Sequence, residues 1–222
     1  MNNQRFHLIY QFVSIMCLTG FLMGCDKTKP PAEEKTRTPV PPTKTESANM
    51  NAPTSSIVVA ARNQIGKTVT YDPSYVALAY PGGDVPIDRG VCTDVVVRAL
   101  RDALDMDLQK LVNEDMSSAF SKYPKIWGLK KPDRNIDHRR VPNLKCYFKR
   151  KGYSLPVTED KEDYHPGDLV TCTVPSNRPH IMIVSDRKSN DGIPLAIHNI
   201  GAGTREENRL FSFPITGHYR IK

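Results

Sequence analysis

The sequence predicts an α+β fold, in which helices come first and an antiparallel sheet follows. Apolar residues recur every third or fourth position in several stretches before residue 152, most clearly over 107–123. The last third of the chain holds short β-branched or aromatic runs bounded by Pro, Gly and Asn. Helices and strands that are segregated along a chain in this way are typical of α+β domains.

The same patterns give the expected elements in order. Apolar periodicity predicts helices, the last of them stopped by Gly152, over 57–65, 91–104, 107–123 and 141–151. Residues 71–80 are expected to form a loop or short helix that ends in a Pro-Gly-Gly turn. Alternation and turn residues predict strands over 168–174, 180–185, 194–199 and 216–221.

Composition limits the classes of function. With 39% hydrophobic residues in 222, the chain can bury one core of ordinary size, and we expect a monomer. The formal net charge of +7 is moderate and spread along the sequence. It suits an acidic substrate or an anionic lipid surface, and it is too weak to predict a nucleic-acid partner.

The N-terminal residues 1–25 resemble a bacterial lipoprotein signal. Arg5 precedes an apolar run, and Leu22-Met23-Gly24-Cys25 ends it. This pattern implies that Cys25 is lipidated and attaches the protein to a membrane of the bacterial envelope, with the domain facing the periplasm. Asp26 favours the inner membrane. An uncleaved transmembrane anchor and an ordinary secretory peptide are the alternatives.

Residues 26–56 predict a disordered tether. This stretch is rich in Pro, Thr, Lys and Glu and has hardly any apolar residue, so it cannot bury enough surface to fold. The folded domain is expected over 57–222.

A cysteine begins the second predicted helix. Cys92 follows Gly90 and Val91, so it falls in the first turn, where unpaired N–H groups and the helix dipole favour a thiolate. Such a position suits a nucleophile. The alternative is a small buried residue at a helix start.

Two of the predicted strands bring a base and an orienting group together. If 180–185 and 194–199 form a hairpin in which Ser185 lies near Pro194, His180 lies directly opposite His198 or Asn199. A shift of one residue in register exchanges these two candidates. A cysteine, a histidine and a third polar residue are what nucleophilic cysteine catalysis requires.

This order of residues resembles that of papain-like cysteine peptidases, especially the NlpC-type cell-wall amidases. Four stretches across about 57–222 carry a closer resemblance: Gly90–Val95, Asn135–Leu144, His198–Gly201 and Gly217–Tyr219. They resemble domain of unknown function family 1287, which is grouped with that clan.

The resemblance implies a papain-like domain and roles for particular residues. It implies that Cys92 is the nucleophile, His180 the base and His198 the third member. By the same resemblance Tyr80 matches a tyrosine that helps the oxyanion site. Asp94 lies in Val91-Cys92-Thr93-Asp94, which replaces the clan's usual Asp-Cys-Ser-Gly motif, and we place it near the substrate.

Further polar residues and cysteines have two interpretations each. In the polar run Asp137–Arg140, Arg139 and Arg140 are candidates to bind a substrate carboxylate, and a network that fixes a loop is the alternative. Cys146 and Cys172 form a disulfide or remain buried thiols. The spacing of the histidines indicates no metal site, and we expect no cofactor.

The leading functional hypothesis is a cysteine amidase or peptidase that cleaves an amide of peptidoglycan stem peptides through an acyl-enzyme. A second hypothesis keeps the same triad and transfers the acyl group to another acceptor. A third is a non-catalytic, wall-binding lipoprotein on an enzyme-like fold.

Overall fold

The computed structural model describes residues 55–222 and confirms the α+β class. Its helices are α1 (Ser56–Arg62), α2 (Cys92–Leu104), α3 (Leu108–Ala119) and α4 (Val141–Arg150). The last three fall inside predicted helical stretches, and α1 begins one residue before the predicted 57–65. A short 3₁₀ turn, Phe120–Lys122, continues α3. The apolar periodicity of the sequence thus located the helices to within a few residues. The predicted signal segment and almost all of the predicted tether lie outside the described residues.

Helix α2 begins at Cys92 for a local reason. Val91 is extended, and its N–H donates to the Asp94 carboxylate at 2.6 Å, which satisfies a backbone donor at the helix start. The helix ends at Asp105, whose left-handed backbone (φ 54°) turns the chain away. No helix in residues 55–222 has the length and apolar character needed to cross a membrane.

Six strands form one antiparallel sheet: β3 (Ser154–Leu155), β4 (Leu169–Val174), β5 (Arg178–Lys188), β6 (Pro194–Asn199), β7 (Thr204–Glu207) and β8 (Ile215–Tyr219). Their order across the sheet is β3-β8-β4-β5-β6-β7. Two further strands, β1 (Thr70–Tyr71) and β2 (Arg89–Gly90), pair in parallel as a separate ribbon. The sequence did not predict β1, β2, β3 or β7, which are too short to carry a period.

The β5–β6 hairpin has a different register from the expected one. Ile183 pairs with Ile197, where the predicted register placed it opposite residue 195 or 196. The reason is that β5 extends to Lys188, and an irregularity between Val184 and Lys188 inserts extra residues before the turn. His180 therefore lies diagonal to His198 and not directly opposite, although both remain on one face of the sheet.

The sheet has an apolar cluster on each face. Leu169, Ile181 and Ile183 pack against the helices, and Val170 and Met182 belong to the second cluster on the opposite face. Cys146 packs against the first cluster, whereas Cys172 lies within the second. Both thiols are free. Of the two alternatives, the structure therefore has separate thiols and no Cys146–Cys172 disulfide, because the sheet separates the two residues.

Candidate functional site

Cys92 lies at the head of α2 and lines a cavity of about 310 Å³. Only 4% of the residue is exposed. Ten other residues besides Arg139 complete the wall. They come from β1 and the residues after it, the start of α2, the segment before α4, α4 itself and β5: Tyr71, Pro73, Val91, Ile126, Trp127, Ile136, Arg140, Val141, Pro142 and Pro179. The cysteine is thus placed where a ligand can reach it.

The protonation state of Cys92 differs from the expectation. Burial raises the pKa of the Cys92 thiol to about 12, and the Asp94 carboxylate adds to this effect. The backbone N–H groups of Ile181 and Thr93 lower the same pKa by less. The expected thiolate was therefore wrong for the resting protein, because the cost of desolvating a charged sulfur exceeds what the helix start contributes.

His180 and His198 form the central polar contact of the site. Nε2 of His180 lies 2.8 Å from Nδ1 of His198, and the two rings meet edge to face. Both residues are almost fully buried. Burial and the neighbouring His198 lower the pKa of His180 to about 3, and burial also lowers the pKa of His198. The geometry thus brings His198, and not Asn199, against the His180 ring.

Asn199 has a different position. Its Nδ2 donates to the Gly90 carbonyl at 2.9 Å, and its Oδ1 accepts from the Gly201 N–H at 3.2 Å. Because Gly90 is two residues before Cys92, this bond attaches the start of α2 to the end of β6. Asn199 therefore positions the cysteine-bearing segment.

Cys92 approaches β5 next to His180. Its sulfur is close enough to the Ile181 backbone N–H for that group to influence the thiol, and Pro179 shares the cavity wall with it. Across residues 55–222, the hydrogen bonds include none between the Cys92 thiol and the His180 ring. The β5 group that reaches the sulfur is thus the Ile181 backbone. A bound substrate would have to bring the His180 ring to the thiol, since catalytic contacts are often longer without substrate.

Asp94 and Arg139 bind one another. The guanidinium donates to both carboxylate oxygens, at 2.8 and 3.0 Å, and to the backbone carbonyls of Ser74 and Asp72. Although Arg139 borders the cavity, its hydrogen-bonding groups are largely occupied. This geometry favours the network that fixes a loop over a carboxylate clamp at Arg139.

Arg140 lies differently from its neighbour. Its Nη1 donates to Asp137 at 2.9 Å, and its guanidinium carbon stacks 4.2 Å from the centre of the Trp127 ring. The side chain is 19% exposed and lines the same cavity as Cys92. The two adjacent arginines therefore have separate environments.

The tyrosine at the cavity is Tyr71 and not Tyr80. The Tyr80 hydroxyl lies 3.5 Å from Asn113 and its ring beneath Arg134, and it does not line the Cys92 cavity. Tyr71 pairs with Gly90 in the parallel ribbon, which places it beside Cys92. Burial raises the pKa of Tyr71, and the Cys92 sulfur adds to this effect.

Sequence reasoning missed three further contributors. Trp127 and Ile136 come from loops that show no period, and Glu207 lies on the unpredicted strand β7, 3.6 Å from Nε2 of His198. The pairing of Tyr71 also left no sequence signal. Among the described residues, no three His, Cys, Asp or Glu side chains gather in a way that could hold a metal ion.

The comparison with protein families gives a match to the domain of unknown function DUF1287 over residues 58–221. The chain belongs to this family. The match includes all the site residues of the described domain, and it confirms the family that the sequence motifs indicated. The chain is also similar to the uncharacterized protein YijF of Escherichia coli (strain K12), with 53% identity over 182 residues, which cover 82% of this chain and 87% of YijF.

Proposed function

We propose that the DUF1287 domain is a papain-like cysteine amidase or peptidase that cleaves an amide bond of peptidoglycan stem peptides. The observation that carries the proposal is the buried 2.8 Å contact between His180 and His198. His180 precedes Ile181, whose backbone N–H reaches the Cys92 sulfur. A histidine held through one ring nitrogen by a second polar group, next to a cysteine, is the arrangement that nucleophilic catalysis uses.

The proposed mechanism requires one direction of this hydrogen bond. With the proton of His180 on Nε2 and donated to His198, Nδ1 of His180 carries the lone pair that can accept the thiol proton. His198 then carries its own proton on Nε2, which lies 3.6 Å from a Glu207 carboxylate oxygen. His198 orients the base, and Glu207 stabilises the charge that forms on the two rings.

The proposed reaction begins from a neutral pair. Cys92 is a thiol and His180 an uncharged ring in the resting protein. As the sulfur attacks the amide carbonyl carbon, its proton passes to Nδ1 of His180. Collapse of the tetrahedral intermediate breaks the C–N bond, and the amine leaves with that proton. Water then attacks the thioester, again with His180 as base, and restores the thiol.

The oxygen of the tetrahedral intermediate needs donors. The backbone N–H groups in the first turn of an α-helix point out of its N-terminal end, which is where Cys92 lies in α2. The Tyr71 hydroxyl belongs to the same cavity wall as the sulfur. Tyr71 takes the role that the sequence assigned to Tyr80. Such preorganised donors commonly contribute the largest share of acyl-transfer catalysis.

The predicted attachment to the cell envelope supports a cell-wall substrate. The lipoprotein-like segment that ends at Cys25 and the Pro-rich stretch after it would attach the domain to a membrane through a lipid, facing the periplasm. Asp26 favours the inner membrane as the site of attachment. A monomer tethered in this way would reach the peptidoglycan layer without a partner subunit.

Digestion of purified sacculi tests the proposal. The wild-type domain and a Cys146→Ala variant should release the same stem-peptide fragments, because Cys146 lies outside the cavity. Cys92→Ala and His180→Ala should release none above background. Fragment release that is identical in wild type and Cys92→Ala would refute a cysteine mechanism.

One observation favours a second candidate function. A thiol that is 4% exposed with its pKa raised to about 12 is typical of a structural cysteine. This points to a non-catalytic, wall-binding lipoprotein. In that case the wild-type domain would sediment with sacculi and release no fragments, and Cys92→Ala would sediment to the same extent.

A further inference from the structure

The wall of the Cys92 cavity has a pronounced chemical bias. Its charged residues are Arg139 and Arg140, and no Asp or Glu belongs to it. The remaining lining is aliphatic or aromatic apart from Cys92. A small apolar site with cationic side chains and no acid selects ligands that carry a negative group.

The two arginines differ in what they can still bind. Arg139 donates to the Asp94 carboxylate and to two backbone carbonyls. The Arg140 side chain makes a single hydrogen bond in the described part of the chain, from Nη1 to Asp137. Its other N–H groups are therefore available to a ligand.

The surroundings of Arg140 fix its guanidinium in place. The guanidinium carbon lies over the Trp127 ring, 4.2 Å from its centroid, a cation–π contact that restrains the group and leaves N–H groups free to donate. Asp137, which holds one edge, is itself fixed by the Asp133 backbone N–H at 2.6 Å and by Asn143. The free edge of Arg140 is thus preorganised on the wall of the cavity that Cys92 lines.

We propose that Arg140, supported by Trp127, binds a free carboxylate of the substrate close to the scissile amide. This inference rests on the proposed function and names the substrate class: acidic peptides whose carboxylate is not amidated. A cavity of about 310 Å³ is at the small end of the range for ligand sites, about 300–1,000 Å³. The carboxylate must therefore lie near the amide that reaches Cys92.

A pair of peptides that differ only in a carboxylate or a carboxamide next to the cleaved bond tests the proposal. Wild type should prefer the carboxylate peptide by about tenfold to hundredfold in kcat/KM, mainly through KM, as expected for a charge-assisted hydrogen bond. Arg140→Gln should bring this ratio close to one. Arg140→Lys keeps the charge and loses the planar fork, so it should retain only part of the preference.

Lys130→Gln is the matched control, since it removes one positive charge from the same loop region and Lys130 does not line the Cys92 cavity. It should keep the wild-type ratio. A wild-type ratio near one, or an unchanged ratio in Arg140→Gln, would overturn the proposal. Circular dichroism and thermal unfolding identify any variant that has lost its fold, and Trp127→Leu then supplies a second test, in which the ratio should also fall.

A binding measurement tests this inference independently of the proposed catalytic function. Calorimetry with Cys92→Ala measures the affinity for the same two peptides without any turnover. Preferential binding of the carboxylate peptide that Arg140→Gln abolishes would support the inference even if no sacculus fragment is ever released. Equal affinity for the two peptides would overturn it even if Cys92 proves to be the nucleophile.

Discussion

Asp94 and Arg139 form a buried bidentate ion pair at the head of the helix that carries Cys92, with N···O distances of 2.8 and 3.0 Å. Asp94 also accepts the Val91 N–H, and Arg139 also holds the 72–74 loop. One polar cluster therefore fixes the helix start and a loop of the cavity wall. This cluster positions Cys92. Its loss should lower the free energy of unfolding of the domain, whatever its effect on catalysis.

Arg139→Met should destabilise the domain by about 3–5 kcal/mol, because it leaves the Asp94 carboxylate buried without its cation. Urea unfolding followed by fluorescence measures the change in the free energy of unfolding. Arg205→Met is the control, because Arg205 is exposed and its ion pair with Glu207 is long, at 3.8 Å. Exposed pairs contribute about 0–1 kcal/mol. An Arg139→Met effect as small as that of the control would contradict the role of the pair.

Asn199→Ala should cost about 1–3 kcal/mol, the usual penalty for a buried polar group left without its partner. The variant loses the bond that attaches the Gly90 carbonyl to β6, so sacculus cleavage should also slow. Asn208→Ala, at an exposed position, serves as the comparison. If both variants unfold at the same urea concentration, Asn199 does not anchor the helix start.

Acid should destabilise the domain through its buried histidines. The pKa of His180 is about 3 in the folded protein against an ordinary value of 6.5, so the unfolded state binds the proton more tightly. The stability that neutral His180 contributes is complete above about pH 6.5 and is lost as the pH falls toward 3, with a slope of about 1.4 kcal/mol per pH unit.

Urea unfolding between pH 7 and 3.5 checks this effect by comparing wild type with His180→Asn. The difference in unfolding free energy should shrink as the pH falls. The variant retains His138, whose pKa burial lowers to about 4, so it should still lose stability in acid but less steeply. Parallel curves for the two proteins would show that His180 is not the neutral buried ring described here.

Tyr71→Phe should lower kcat for sacculus-derived peptides by about a hundredfold if its hydroxyl donates to the developing oxyanion. Tyr80→Phe should leave kcat close to wild type, since Tyr80 contacts Asn113 and Arg134 away from the Cys92 cavity. The reverse order of effects would restore the original assignment to Tyr80 and remove Tyr71 from the site.

Much of the fold follows from patterns within single segments. The helices over 92–104 and 141–150 have strong apolar periodicity, which tertiary packing reinforces, and they lie where the periodicity placed them. The His180–His198 contact was also within reach, because residues on one face of a hairpin meet. Each of these features depends on spacing along the chain.

The remaining features depend on contacts that spacing does not encode. The irregularity between Val184 and Lys188 shifts the hairpin register, and nothing in the loop composition specifies its length. Tyr71 reaches the site through a two-residue ribbon, which is too short for any period. The pKa of Cys92 depends on how deeply packing buries the sulfur, a quantity that its place at a helix start leaves open.

The reactivity of Cys92 toward a small alkylating reagent at pH 7 tests the central claim most directly. If His180 takes the thiol proton during attack, Cys92 should react faster than Cys146 despite its raised pKa. His180→Ala should slow Cys92 by about a hundredfold or more, in line with the usual size of general-base effects. Peptide mapping by mass spectrometry assigns the modified residue. A Cys92 that reacts as slowly as Cys172 and is indifferent to His180→Ala would be a structural thiol, and the proposed mechanism would be wrong.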